Sequence, residues 1–137
     1  MTSGARAGSP EVAIPASETV PGLVTVAIPA RNESASIRRV LDAVRSQTYP
    51  DLQIVVVDGS SEDDTAAIVA DVARSDPRVE LVANPDRVIP RAMNLALAHA
   101  HGEWFVRVDA HCRIDDDYVE RVVEHLRTGR WAGVGGR

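Results

Sequence analysis

Asp109 and His111 stand two residues apart at the end of a mainly apolar segment, residues 104–108. In an extended chain, side chains two residues apart point to the same side. A carboxylate and an imidazole placed in this way reach one cation, or the cation and the phosphates that it neutralises. Ligands of open α/β sheets bind outside the carboxyl ends of the strands, where these residues would lie. The alternative reading is a strand followed by an ordinary polar turn.

Two further apolar segments also end in polar residues. Residues 23–28 and 52–57 have the nearly continuous apolar, β-branched composition of strands buried in a parallel sheet. The polar residues that follow are Arg31, Asn32 and Glu33 after the first segment, and Asp58, Ser60 and Ser61 after the second. Each has an ordinary alternative role, as a helix N-cap for Asn32 and Ser61, a solvated acid for Glu33 and a turn former for Asp58. Their convergence at one edge of a sheet instead predicts a binding site.

Apolar segments alternate with amphipathic ones along most of the chain. Strands are predicted at residues 23–28, 52–57, 79–83 and 104–109, with Pro29 ending the first strand. Between and after them, apolar residues recur three and four positions apart, which predicts helices. The alternation predicts an α/β fold with a mainly parallel sheet and flanking helices. Residues 1–22, rich in Gly, Ser, Ala and Pro, are predicted to be a flexible tail, and residues 23–137 a single domain.

Composition narrows the range of functions. The 137 residues carry a formal net charge of -5 and contain no Lys/Arg-rich run, which argues against nucleic acid or an anionic membrane as a partner. We find no apolar stretch of membrane-spanning length and no signal peptide, and the single cysteine, Cys112, excludes an internal disulfide. A cytoplasmic protein is therefore expected. The two common glycine-rich phosphate-binding motifs are absent, so a phosphate ligand needs another local site, most simply through a metal.

Four segments, in order, resemble the motifs of the family-2 glycosyltransferases of the GT-A fold. They are VAIPARNE at residues 26–33, VVVDGSSEDDT at 55–65, RAMNLALA at 91–98 and VRVDAH at 106–111. The first resembles the opening strand of the family with its Asn-Glu turn, and the second its Asp-(Gly/Asp)-Ser-Ser-x-Asp-x-Thr signature. The third stands where the family has Ala-Arg-Asn-x-Gly, and the fourth where it has the Asp-x-Asp metal motif. The resemblance implies a GT-A, Rossmann-like α/β domain, truncated after its donor-binding half.

Three positions depart from the family pattern. Met93 stands where the family usually has Arg, and Ala96 where it usually has Gly. Arg87 or Arg91 is therefore a candidate to supply the missing positive charge at the diphosphate. His111 replaces the second Asp of the metal motif. The Asp-Ala-His version, the Asn-Pro-x-Arg before the third helix and the closing Gly-Val-Gly-Gly-Arg resemble the succinoglycan-type exopolysaccharide branch.

The resemblance implies a metal-assisted, inverting transfer of a sugar from a nucleotide-diphosphate sugar, by default a UDP-sugar, to a glycan or lipid-linked acceptor. Asp109 and His111 are the implied ligands of Mn²⁺ or Mg²⁺. Mn²⁺ tolerates an imidazole ligand better than Mg²⁺ does. Asp58 is implied to bond the base. The other implied donor-site residues are Pro29, Ala30, Arg31, Asn32, Glu33, Ser60, Arg87, Arg91, Asn94, Arg107, Val108 and Ala110.

The catalytic general base that takes the proton of the acceptor is expected beyond Arg137. We therefore expect a donor-binding fragment that is nearly inactive in transfer by itself, with peripheral membrane association open to the longer protein. One alternative is a non-catalytic sugar-nucleotide-binding module that uses the same site. Another is a nucleotidyltransferase or a phosphohydrolase. These two are disfavoured because neither a Gly-rich basic loop nor an Asp-x-Asp-x-Thr sequence follows the first strand.

Overall fold

A computed structural model describes residues 19–128, in which strands and helices alternate as predicted. The elements are β1 (Val20–Ala30), α1 (Ile37–Arg45), β2 (Leu52–Asp58), α2 (Thr65–Ser75), β3 (Val79–Ala83), α3 (Ile89–His99), β4 (Gly102–Arg107) and α4 (Tyr118–Arg127). The strands form one parallel sheet in the order β3-β2-β1-β4. The predicted α/β class and parallel sheet are therefore confirmed. The element predicted at residues 131–136 lies outside the described residues, as does most of the predicted tail.

The two central strands are buried on both faces. One set of alternating residues, including Val26, Ile28 and Ile54, packs with apolar side chains of α1, α2 and α4. The other set, including Ala27 and Val55, packs with the small alanines of α3. Helices therefore cover both faces of the sheet, which explains why these strands read as continuous apolar runs in the sequence.

The ends of two strands differ from the prediction. β1 begins at Val20, inside the segment predicted to be a tail, and continues through Pro29 to Ala30. The pairing of β1 with β4 stops at the Ala27–Arg107 pair, whereas its pairing with β2 continues to Ala30. Pro29 is tolerated because the N–H that proline lacks is not needed on the β4 side. β4 ends at Arg107, and Asp109 therefore lies in the following loop rather than at the end of a strand.

Asn32 and Ser61 are not helix N-caps, contrary to that alternative reading. The N-cap positions of α1 and α2 are Ser36 and Asp64. Asn32 has a left-handed backbone with a φ of 55°. Its side chain accepts a hydrogen bond from the backbone N–H of Glu62 in another loop. A prediction of helix caps from local sequence does not consider such a contact between two loops. In the part of the chain that the structure describes, no helix has the length and apolar character needed to cross a membrane.

A buried carboxylate, Asp76, holds the opposite edge of the fold together. Its side chain is 10% exposed and pairs with Arg45 and Arg78, each at 3.0 Å. Arg78 also donates to the carbonyl oxygens of Arg45 and Pro50, so the pair joins the end of α1 to the loops around β2 and β3.

Asp76→Asn is expected to lower the free energy of unfolding by about 2 kcal/mol at neutral pH, because it removes a charge paired with two guanidiniums. Arg78 holds the pKa of Asp76 well below its usual range. The stabilisation is therefore complete above the unfolded-state pKa of about 3.9 and is lost as the pH falls through the lower folded-state pKa. Urea unfolding at a series of pH values checks this. Asp42→Asn, at the exposed partner of Arg45, is the control, and a pH-independent difference for Asp76→Asn would contradict the prediction.

Candidate functional site

A cavity of about 350 Å³ lies at the carboxyl ends of the strands. Parallel strands bring their carboxyl ends to one edge, so the loops after all four strands contribute to its wall. The lining residues are Pro29, Ala30, Arg31 and Glu33 after or within β1, Val57 and Gly59 at β2, Asn84, Arg87, Val88, Ile89 and Ala92 around the start of α3, and Arg107, Asp109, Ala110 and His111 at β4. Of the polar residues predicted to converge there, Arg31, Glu33, Asp109 and His111 line the cavity, whereas Asn32, Asp58, Ser60 and Ser61 do not.

The loop after β4 holds the candidate metal ligands. The Asp109 carboxylate accepts from the Arg107 guanidinium at 3.0 Å, and Nδ1 of His111 lies 3.0 Å from Oε2 of Glu33. Ser36 donates to the carbonyl oxygen of Ala110 at 2.8 Å, which ties this loop to the start of α1. The acid, the imidazole and the second acid thus line the same side of the cavity.

Within residues 19–128, no group of three or more His, Cys, Asp or Glu side chains is arranged to hold a metal ion by itself. The donors that are present still fit a divalent cation bound together with a diphosphate. Mg²⁺ in particular is usually held by one or two carboxylates plus substrate phosphates and water, rather than by a cage of protein ligands. Asp109 supplies a hard oxygen donor and His111 a nitrogen donor that suits Mn²⁺.

Hydrogen bonds between two loops hold the β1 side of the cavity in place. In the loop after β1, the backbone N–H of Asn32 donates to Oγ of Ser61 at 2.8 Å, that of Glu33 to Oγ1 of Thr65 at 2.9 Å, and that of Ser34 to Oδ2 of Asp63 at 3.1 Å. In the opposite direction, the backbone N–H of Glu62 donates to Oδ1 of Asn32 at 2.8 Å. A hydrogen bond from the Thr65 hydroxyl lowers the pKa of Asp63, so this carboxylate stays charged and accepting. These bonds fix Arg31 and Glu33 relative to β2.

Asp58 is buried at the end of β2 but does not line the cavity. Its side chain accepts from the N–H of Ser61 at 3.3 Å, while Oδ1 has no hydrogen-bond partner among the described residues. Its neighbours Val57 and Gly59 do line the cavity. Since side chains alternate between faces along a strand, Asp58 points away from the side that Val57 presents. The contact of Asp58 with a base stays a prediction.

The arginines predicted for the site differ in their surroundings. Arg31 donates to the carbonyl oxygen of Gly59 at 3.1 Å. Arg91 does not line the cavity and pairs with Asp86 at 3.3 Å. Arg87 lines the cavity, with a left-handed backbone. The other predicted residues that do not line it are Asn32, Ser60, Asn94 and Val108.

Sequence reasoning missed the apolar part of the wall. Val57, Val88, Ile89 and Ala92 line the cavity, and Val88 and Ile89 are 54% and 49% exposed. Apolar residue types carry no site signal of their own, because the same types fill cores. Asn84 was also missed, although an Asn-Pro pair at a strand end is a recognisable loop signal.

Cys112 follows His111 but has the properties of a structural thiol. Burial raises the pKa of the Cys112 thiol, which keeps it protonated near neutral pH. Its side chain packs against the main core rather than among the cavity-lining residues.

The fold and cavity define a doubly wound α/β protein whose ligand site lies at the carboxyl edge of a parallel sheet. The chain belongs to glycosyl transferase family 2, whose family model matches residues 25–137. The predicted family is thereby confirmed.

Similar proteins include a curated bacterial relative and two solved structures. The succinoglycan biosynthesis protein ExoA of Rhizobium meliloti (strain 1021) is 38% identical over 108 residues, which are 76% of this chain and 33% of ExoA. The mannosyltransferase PcManGT of Pyrobaculum calidifontis, solved with GDP-Man and Mn²⁺, matches at 40% identity and a TM-score of 0.60 over 64% of this chain and 27% of its own.

Glucosyl-3-phosphoglycerate synthase of Mycobacterium tuberculosis, solved with Mn²⁺, UDP and glucosyl-3-phosphoglycerate, matches at 25% identity and a TM-score of 0.63. That match covers 79% of this chain and 40% of the synthase chain. This chain therefore spans well under half the length of each of these proteins. The GT-A fold prediction is confirmed by these structural neighbours.

Proposed function

We propose that the cavity binds the nucleotide-diphosphate sugar donor of a family-2 glycosyltransferase. The observation that carries the proposal is the meeting of Asp109, His111 and Glu33 with cationic side chains in one cavity at the strand ends. The solved relatives with GDP-Man and Mn²⁺, or with UDP and Mn²⁺, support it. UDP is proposed as the nucleotide, and Asp109 and His111 as the residues that would hold the cation.

A bound divalent cation would neutralise the negative charge that develops on a departing diphosphate. The residues of this chain supply the rest of the donor site. Arg107 balances the charge of Asp109 and is available to a phosphate oxygen once a cation takes over that carboxylate. Glu33 orients the His111 ring through Nδ1, which leaves the other ring nitrogen to face a ligand. Pro29 and Ala30 line the cavity at the end of β1.

The acceptor is proposed to be a growing exopolysaccharide, glycan or lipid-linked, because the Rhizobium meliloti relative takes part in succinoglycan biosynthesis. A lipid-linked acceptor would bring the site to a membrane surface. The general base is proposed to lie in a part of the family's fold that this chain does not cover, since the match with ExoA spans 33% of that protein.

Calorimetric titration of UDP and of GDP into this chain, with and without Mn²⁺, tests the proposal. We expect UDP to bind with an affinity that Mn²⁺ raises by about tenfold or more, because a cation shared between Asp109 and the diphosphate adds favourable interactions on both sides. Uridine, which has no phosphates, is the matched control and should show no Mn²⁺ effect. Absence of binding by either nucleotide at millimolar concentration would refute a donor site in this chain.

A further inference from the structure

The loop of residues 109–112, which carries the candidate metal ligands, lies beyond the strand pairing that fixes β4. Among the described residues, the last pair between β1 and β4 is Ala27–Arg107. The last backbone hydrogen bond there runs from the N–H of Val108 to the carbonyl oxygen of Ala27 at 2.9 Å. The His111 side chain is 68% exposed. The sheet therefore does not by itself fix the backbone from which His111 projects.

Two side chains at the start of α1 bind the backbone of this loop. Ser36 donates to the carbonyl oxygen of Ala110 at 2.8 Å. One turn later, Arg39 donates through Nη1 to the carbonyl oxygen of Cys112 at 2.9 Å and through Nη2 to that of His111 at 3.3 Å. Residues three apart lie on the same side of a helix, so one side of α1 binds three successive carbonyl groups of the loop.

Ser36 makes this contact instead of capping its own helix. It occupies the N-cap position of α1, where a serine side chain usually accepts a hydrogen bond from a backbone N–H of the first turn, but it makes no such bond. The helix is held in place by its other side, since Ile37, Val40 and Leu41 are fully or almost fully buried in the core. The start of α1 is therefore a fixed support for the loop.

The charge of Arg39 does not explain its position. A guanidinium repels a nearby divalent cation, so removal of the charge alone would strengthen cation binding. Arg39 also does not line the cavity, and it acts on a ligand through the loop rather than by direct contact. What Arg39 supplies is a planar pair of N–H donors that fits two neighbouring carbonyl oxygens, which a lysine ammonium does not reproduce.

We propose that Ser36 and Arg39 are positioning residues, which hold the loop of residues 109–112 in the shape that binds the divalent cation of the donor. This inference rests on the proposed donor site. A loop that is already in its binding shape loses less conformational freedom when the cation and the nucleotide arrive, so both bind more tightly. Residues that support metal ligands in this way are typically worth roughly 10- to 100-fold in metal affinity.

Arg39→Ala tests the inference. UDP is titrated calorimetrically into wild type and variant, without Mn²⁺ and at a series of Mn²⁺ concentrations. We expect the Mn²⁺ concentration that gives half of the gain in UDP affinity to rise about tenfold in the variant. The affinity for UDP without Mn²⁺ should stay unchanged, because Arg39 does not line the cavity. The midpoint of urea unfolding should also change little, since the side chain is exposed.

Three further variants separate geometry from charge. Arg38→Ala is the matched control, because Arg38 is the neighbouring exposed arginine of the same helix and pairs with Asp71 on α2 instead. It should keep the wild-type dependence on Mn²⁺. Arg39→Lys retains the charge without the planar pair of donors and should behave as Arg39→Ala does. Ser36→Ala removes an independent bond to the same loop and should shift the Mn²⁺ dependence in the same direction.

A wild-type or stronger dependence on Mn²⁺ in Arg39→Ala would overturn the inference. So would full recovery in Arg39→Lys, which would assign the effect to charge. An equal loss of UDP affinity with and without Mn²⁺ would also overturn it, because the cavity as a whole would then have changed. If UDP binding to wild type does not depend on Mn²⁺ at all, the proposed cation site fails and the inference fails with it, a result that the wild-type titration alone identifies.

Discussion

Asp109→Ala is expected to abolish the Mn²⁺ dependence of UDP binding, with a loss of about 100-fold or more in affinity for the cation. Mutation of a residue that only supports a metal ligand lowers metal affinity by roughly 10- to 100-fold, and loss of a direct ligand lowers it by at least as much. Asp109 is the carboxylate of the Asp-Ala-His segment that lines the cavity, so we expect His111 and the diphosphate alone to hold the cation poorly. Calorimetry with and without Mn²⁺ measures this loss.

The same variant has a second, opposite effect in the absence of metal. Removal of Asp109 frees the Arg107 guanidinium, which it now engages at 3.0 Å. Metal-free binding of UDP should therefore be equal or stronger in Asp109→Ala, which separates loss of the cation from collapse of the cavity. Asp71→Ala is the matched control, since it removes another exposed carboxylate that pairs with arginines, on α2. Full Mn²⁺ dependence in Asp109→Ala would show that this carboxylate is not a ligand.

Gly102→Ala is expected to lower the free energy of unfolding by about 3 kcal/mol or more. A Cβ at this position would lie 2.5 Å from the backbone nitrogen of Thr25 and 2.8 Å from the carbonyl oxygen of Trp104. These are backbone atoms of two paired strands, which cannot move aside without separating β1 from β4. The N–H of Gly102 also donates to Oγ1 of Thr25, whose hydroxyl in turn donates to Oε1 of Gln53 on β2, and both hydrogen bonds would be disturbed.

Urea unfolding of wild type and Gly102→Ala measures the effect. Gly22→Ala is the control, because its φ of 81° strains an alanine while the nearest atom to the new Cβ is 3.9 Å away. Its expected cost is about 1 kcal/mol, from backbone strain alone. A cost of Gly102→Ala no larger than that of Gly22→Ala would mean that β4 shifts to accommodate the methyl group, and the close approach of the strands would lose its importance.

Several features of the fold could be predicted because they depend on neighbours in sequence. Ile37, Val40, Leu41 and Val44 recur three and four positions apart within one short segment, which predicts a helix from neighbouring residues alone. The structure has α1 at that segment, with these four residues buried. Boundaries were less predictable. The tolerance of Pro29 inside β1 depends on where the partner strand stops. The backbone N–H of Asn32 donates to the Ser61 hydroxyl in another loop. Because both residues are of types common at helix N-caps, the local sequence suggested caps instead of this contact.

The candidate site was predictable where chemistry marks the residues. Asp109, His111, Glu33 and Arg31 were proposed from strand ends, and all four line the cavity. The exposed apolar wall at Val88 and Ile89 was not predictable, because valine and isoleucine in a sequence indicate a core as readily as a ligand surface. Their exposure, and with it their use, appears only when α3 is placed against the sheet.

The sequence by itself determined the class of this protein. Its alternation of buried strands and amphipathic helices requires a parallel sheet, and a parallel sheet gathers the residues after its strands at one edge. Only the tertiary structure decided the order β3-β2-β1-β4 and the partner of each charged group. Strand order and ion pairing are set by contacts between segments far apart in the chain. For that reason the pairing of Arg91 with Asp86 became visible only in the folded molecule.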